Sequence, residues 1–309
     1  MTPTLTIFSA PKPFTNPHIR TIQRNAIQSW LQLGDDARVY LVGEEEGLAQ
    51  TVSEFGAFHL PNVHRNSSGT PLVSSIFAMA HQISTSPLLA YVNADIILMP
   101  QFVNVASQVY CQVKEFLIVG QRFDLSLQQP LDFSPSWDKR LQADVQSRGR
   151  LHPPAGSDYF ILPRTCFTDL PNFAIGRAGW DNWMIYHARV QHLSVVDATS
   201  AITVIHQDHD YSHLPNGQPH YRLPESSENL RLAGGRRTVF TLEDADYCIQ
   251  DGQLQRIPLH PRKLRREIEI FPLVRLHSEA LADIFFDIFH PIKAWKEFRG
   301  RATYKIRRV

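Results

Sequence analysis

The sequence predicts an α/β fold: a mostly parallel central sheet flanked by helices, with a C-terminal helical extension. Two observations lead there. Short apolar runs of five or six residues alternate with amphipathic helical stretches through the first half of the chain. Two of those helical stretches open on a polar capping residue followed by proline, Asn16-Pro17 and Thr70-Pro71. With 309 residues, 43% of them apolar and 20% charged, the chain can bury one large core or two small ones.

Thr4–Phe8 ("TLTIF") reads as the first strand and ends in a proline-broken loop, "SAPKPF". From Asn16-Pro17 a helix follows, with Ile22, Ala26, Ile27, Trp30 and Leu31 on one face and Gly34 as its stop. Ala37–Val42 is the second strand, and a short third lies near Phe58–Leu60. Thr70-Pro71 then starts a helix whose stripe is Leu72, Val73, Ile76, Phe77, Ala80 and Ile83. Leu88–Val92 and Phe116–Gln121 are further strands. Residues 122–155 are polar and rich in Gln and Pro, which predicts an irregular excursion or lid. Beyond it, Gly156–Arg164 reads as a strand, "GWDNWMIYHARV" as a helix, "AITVIHQDHDYSH" as a strand entering a His-rich loop, and Asp251-Gly252 as a hairpin turn.

Charge is unevenly placed. Residues 262–309 hold twelve Lys/Arg and six Asp/Glu, so this segment is +6 and the remainder −5, given a total of +1. A basic amphipathic tail of this kind suits an anionic membrane surface, or docks its stripe of Ile284, Phe285, Ile288 and Phe289 on the body. The docked form is the expectation. Nothing in the composition points to nucleic acid. Cys111, Cys166 and Cys248 form no CxxC pair, which argues against zinc–thiolate or disulfide frameworks and for a reducing, cytoplasmic setting. The first ten residues lack a signal-peptide pattern, and no apolar run reaches the length of a membrane span.

Five groups of residues carry candidate chemistry. Asn93-Ala94-Asp95 ends a buried strand on oxygen ligands, fit for a divalent cation or for an Asx turn. "HQDHDYSH" offers His206, Asp208 and His209 as ligands, without HExxH spacing. Asp181, between Trp180 and Trp183 at a helix start, is placed for proton abstraction beside rings that could stack on a sugar; an N-cap Asp beside core tryptophans fits equally. Asp158, beside Tyr159 in "GSDYF", can accept hydrogen bonds from a hydroxyl. Loops facing Asp95 offer Ser9, Ala10, Lys12, Glu44, Arg65, Gly69 and Thr70 to phosphate, ribose or base. Neither GxxxxGK[ST] nor GxGxxG follows the first strand, which excludes a P-loop or Rossmann dinucleotide site.

The order of these motifs resembles the nucleotide-sugar glycosyltransferases of the GT-A fold, in particular bacterial members similar to glycosyltransferase family 2. "YVNADIIL" stands where that family has its metal-binding DxD strand, "GWDNW" resembles its acidic acceptor-side motif, and "VIHQDH" supplies a late His. The resemblance covers about residues 4–245. It implies a catalytic domain over 1–250, with a nucleotide half to about 121 and an acceptor half over about 122–250, and an extension over 251–309. It implies a Mn or Mg ion held by Asp95 and by His209 or His206, with Asn93 on the metal or ribose. Asp181 would be the general base, Asp158 an acceptor contact, and Trp180, Trp183 and Tyr159 the acceptor platform. The implied partners are a nucleotide-diphosphate sugar donor and a glycan or small hydroxyl acceptor. Asn93 departs from the family's usual Asp. Two competing readings are a sugar-phosphate nucleotidyltransferase, disfavoured by the glycine-free "SAPKPF" loop, and a non-catalytic nucleotide-sugar-binding module.

Overall fold

The structure is a computed structural model and describes residues 3–208, 221 and 223–296. Its first part alternates β1 (Leu5–Ser9), α1 (Pro17–Leu31), β2 (Ala37–Val42), α2 (Leu48–Phe55), β3 (Phe58–Leu60), α3 (Val73–Ile83) and β4 (Leu88–Val92). There follow β5 (Ile96–Leu98), α4 (Gln101–Gln112), β6 (Phe116–Val119), β7 (Phe123–Leu125), α5 (Trp137–Arg148), β8 (Arg150–Leu151) and β9 (Tyr159–Pro163). The last part comprises α6 (Trp180–Val190), β10 (Ser194–Asp197), β11 (Val204–Gln207), α7 (Pro224–Leu232), β12 (Tyr247–Gln250), β13 (Gln253–Arg256), α8 (Pro261–Val274) and α9 (Glu279–Phe289).

Nine strands form the main sheet in the order β13-β12-β10-β6-β9-β4-β1-β2-β3. Most pairings are parallel, as expected, but β9 runs antiparallel between β4 and β6, and β13 runs antiparallel at the edge. Both faces are covered. Leu89 and Tyr91 of β4 join a core with α3, α6 and α8, while Leu88, Ala90 and Val92 join the opposite core with α1, α2 and α4. This is why the strand reads as a continuous apolar run. A second sheet, β5-β11-β7-β8, lies over a small core to which α5 contributes Leu141 and Val145.

Local signals account for some boundaries and not others. Asn16 caps α1, its Oδ1 accepting from the His18 and Ile19 amides at 2.9 and 3.1 Å. The second helix does not start at Thr70-Pro71: Pro71 and Leu72 bridge to Arg65 and Ala174, and α3 begins at Val73 without a capping side chain. Residues 122–155 are not an irregular excursion, since β7, α5 and β8 pair and pack there. The hairpin at Asp251-Gly252 forms as expected, both residues taking positive φ. The division expected at 250/251 falls on that turn, and α8 buries Ile270, Leu273 and Val274 in the same core as α6.

One side chain joins the two sheets to α1. Gln207, fully buried at the end of β11, donates to the carbonyls of Ile22 (2.7 Å) and Asp95 (3.1 Å) and accepts from Asn25 (2.9 Å). Replacing it leaves several buried polar groups unsatisfied, each costing about 1–3 kcal/mol. Gln207→Leu is therefore expected to lower unfolding stability by about 3 kcal/mol in a urea titration. A change within experimental error would show that these bonds do not hold the sheets together.

Candidate functional site

The site lies at the carboxyl edge of the parallel strands, where sheets of this kind bind ligands. β4 ends at Val92 and delivers Asn93 and Asp95. Because β9 is antiparallel, with Tyr159 opposite Val92, Asp158 just before it arrives at the same edge. The Asn93 amide nitrogen donates to the Asp158 carbonyl at 2.8 Å, and its Nδ2 donates to Asp158 Oδ1, also at 2.8 Å. Its Oδ1 accepts from the Tyr91 hydroxyl at 3.0 Å.

Both ends of the Asn93 amide are engaged within the protein, so it is a bracket for Asp158. An Asp here would place a second carboxylate at hydrogen-bond distance from Asp158, and the pair would hold a shared proton with one pKa raised.

The small sheet supplies the other half. In its register His206 lies opposite Ile96 on one side and Asp124 on the other. The imidazole therefore sits between carboxylates, with Nε2 4.0 Å from Asp95 Oδ2 and Nδ1 3.4 Å from Asp124 Oδ1 and 3.7 Å from Asp208 Oδ1. Burial disfavours its charged form, yet Asp124, Asp95 and Asp158 together raise its pKa above the ordinary histidine value. Asp124 is itself heavily compensated. Burial opposes its charge, but His206, His152 (2.9 Å) and Arg122 (3.0 Å) hold its pKa well below the usual carboxylate range. Arg122 also grips Asp158.

Two donor sets fit a divalent cation. Asp124, His206 and Asp208 each offer a ligand atom within 4.8 Å of the others. Asp95 Oδ2 and His206 Nε2 are also close enough, since donors about 2.1 Å from one ion stand about 3–4.2 Å apart. The chemistry favours the second pair. Both Asp124 oxygens already face cationic or imidazole donors, Oδ1 standing 3.4 Å from His206 Nδ1, while Nε2 lies on the Asp95 side of the ring. Carboxylate and imidazole suit Mn or Mg. His209, the other expected ligand, lies outside the described residues.

Lys12, on the loop after β1, is held by Gln23 through its backbone: its amide donates to Gln23 Oε1 (2.6 Å) and its carbonyl accepts from Nε2 (2.9 Å). Its ammonium makes no ion pair within 4 Å among the described residues. Burial lowers its pKa, Asp95 raises it, and Arg177 lowers it further. The other expected donor contacts are less available. Arg65 is held by Glu45 (2.8 Å) and the Gly69 carbonyl (2.9 Å). Glu44 is exposed, Ser9 is fully buried, Ala10 packs on the core, and Thr70 bonds Glu225. Glu225 also accepts from Arg177 at 2.6 Å and from Asn66 at 2.7 Å, tying these loops together.

Asp181 occupies the first turn of α6, after Gly179, whose φ of +107° places it in the left-handed region. Burial, and secondarily the charge of Asp158, raise its pKa to about 6 against the pull of nearby backbone amides. The expected aromatic platform is corrected. Trp180 and Trp183 are 4% and 6% exposed, Trp180 packing on Tyr91 and Phe160 and Trp183 on Phe173 and His187. Tyr159 is fully buried against Phe102. All three are core residues without an open face for a sugar.

Sequence reasoning missed Arg122, Asp124 and His152. A signal was present: in "QRFDL" the charged residues alternate with Phe123 and Leu125, the period of a strand with one polar face.

No family model matches the chain, and no curated protein matches it. Among solved structures it is similar to glucosyl-3-phosphoglycerate synthase from Mycobacterium tuberculosis in complex with uridine diphosphate, at 15% identity and a TM-score of 0.48, over 76% of this chain and 81% of that one. A further structure of the M. tuberculosis synthase matches over 84% of this chain and 88% of that one, at 14% identity and a TM-score of 0.47. GalNAc-T7 with UDP, GalNAc and Mn2+ matches at 14% identity and a TM-score of 0.49, over 75% of this chain and 48% of that one. Likenesses at these values assign neither activity nor ligand to this chain.

Proposed function

We propose that this chain is a metal-dependent glycosyltransferase that moves a sugar from a nucleoside-diphosphate donor to a hydroxyl acceptor. One observation carries the reading: Asp95 and His206, far apart in sequence, meet at the carboxyl edge of the sheet, where the Asp95 charge also acts on Lys12. A raised-pKa carboxylate, Asp181, stands within the field of Asp158 at the same edge. A sheet edge that offers a cation site, a lysine and a base suits displacement of a diphosphate by a hydroxyl. The three cysteines are free, which supports a reducing, cytoplasmic setting. The assembly of a polysaccharide or surface glycan is the proposed context.

In this reading Asp95 and His206 would hold the divalent ion, which when bound neutralises charge on the departing diphosphate. Lys12 supplies further positive charge to the same oxygens. Arg122 and Asn93 lock Asp158, whose remaining lone pairs can accept from a sugar or acceptor hydroxyl. Asp181 accepts the proton of the attacking hydroxyl. With Asp181 as base, the attack comes from the face opposite the leaving group and the anomeric configuration inverts.

The metal pair can be tested directly. Asp95→Asn and His206→Ala are expected to abolish Mn-dependent binding of uridine or guanosine diphosphate in calorimetry, while Asp208→Asn weakens it less than tenfold. The reverse ranking would move the ion to the Asp124 side of the imidazole. Diphosphate binding without transfer or hydrolysis would leave a binding module.

For Asp181→Asn, turnover is expected to fall about 10²–10⁴-fold, with diphosphate affinity preserved. In the wild type, kcat falls as pH drops through about 6, because Asp181 becomes protonated; the variant loses that limb. The same shift makes a stability statement. A carboxylate whose folded pKa is raised from 3.8 to about 6 weakens the fold as pH rises through that window. Thermal melts should therefore show Asp181→Asn more stable than wild type at pH 7, with the advantage gone at pH 4.

A further inference from the structure

The C-terminal helices carry an apolar surface that the body does not use. One side of α9 is fixed to the molecule. Ala282 is buried, Arg237 pairs with Asp283 at 2.8 Å and lies 3.5 Å from the Phe286 ring centroid, and His290 Nε2 is 2.9 Å from Glu269 Oε2. Phe285 and Phe289 are half-buried on that side. The expected docking stripe is thus split: Ile284 and Ile288 do not join Phe285 and Phe289 against the body but face outward, 53% and 66% exposed. Ile292, in the helical residues 291–296, continues the outward stripe at 72% exposure.

On α8 a second stripe stands clear at helical spacing, with Leu264, Ile268 and Phe271 each close to half exposed. Nine of the fourteen exposed large apolar side chains among the described residues lie between 264 and 295. Such clustering marks an interaction surface, whereas scattered singles are ordinary.

Charge selects the occupant. Beyond this stripe, residues 291–309 carry seven Lys/Arg against one Glu. Of the three acidic side chains of α9, Asp283 is turned to Arg237, and Glu279 and Asp287 are exposed. An apolar stripe with a cationic end matches the acyl boundary and headgroups of an anionic bilayer. No helix among the described residues is long and apolar enough to cross a membrane, so the segment would lie in the interface.

We propose that the outward face of α8 and α9, led by Ile284, Ile288 and Ile292 with the exposed Lys293 and Lys296 following in the chain, docks this protein on an anionic lipid surface. This docking stands independently of the reaction assigned to the site.

The test is co-sedimentation of the full chain with phosphatidylcholine vesicles, with and without phosphatidylglycerol. The wild type is expected to pellet with the anionic vesicles alone and to be released by high salt. Ile288→Asp/Ile292→Asp and Lys293→Glu/Lys296→Glu should each reduce the bound fraction about tenfold or more. Circular dichroism melts should match the wild type, because all four side chains are exposed. Wild-type protein left in the supernatant with anionic vesicles overturns the proposal. So does binding that neither variant weakens. A dimer in sedimentation velocity that Ile288→Asp/Ile292→Asp dissolves, with vesicles ignored, would assign the face to a second copy of the chain instead.

Discussion

The insertion of β11 between β5 and β7 is the constraint on which the site depends. Backbone pairing on both sides places the His206 ring between Asp95 and Asp124, groups the chain supplies from distant segments. Gln207 then ties the end of that strand to the Asp95 carbonyl and to α1, so the distance between imidazole and carboxylate is set by backbone and buried amide bonds. A pair held this way needs little reorganisation, which is what the proposed cation site would require.

Charge compensation around the pair is graded. Asp124 is saturated by Arg122, His152 and His206, and Asp158 is clamped by Arg122 and Asn93. Asp95 and Lys12 lie at the same edge, and Asp181 is kept part-protonated near pH 6 by burial and by Asp158. The carboxylates at this edge therefore carry different duties because their surroundings differ. Asp124 and Asp158 are bonded to neighbouring side chains, whereas in the proposed reaction Asp95 and Asp181 would act on the ligand.

The C-terminal segment shows the same division between support and contact. Arg189 pairs with Glu267, Arg266 pairs with Asp244, and the Lys263 ammonium donates to the Glu243 and Ala245 carbonyls, which fastens α8 to the body through partly buried polar contacts. Removing one member of such a pair would strand the other, so these bonds act as fasteners with a cost for breakage. With that side of α8 and the Arg237 side of α9 committed inward, their remaining apolar side chains face solvent.

Much of the fold is legible in the residues alone. Asn16-Pro17 marks the start of α1, the run Leu88–Val92 declares a strand covered on both faces, and Asp251-Gly252 marks its hairpin, because capping, burial and turn geometry are local requirements. Asp95, His206, Asp158 and Asp181 also stand out, as polar groups at the ends of apolar segments. Tertiary structure alone decided the rest. Nothing local shows that β9 runs antiparallel into the sheet, which makes Asn93 a bracket for Asp158. Nor does the chain near Trp180 and Trp183 reveal that their faces are already filled. Arg122 and Asp124 gain their roles only when β7 pairs with β11. Strand order and ring burial depend on contacts between segments far apart in the chain, and those contacts have no signature in any one of them.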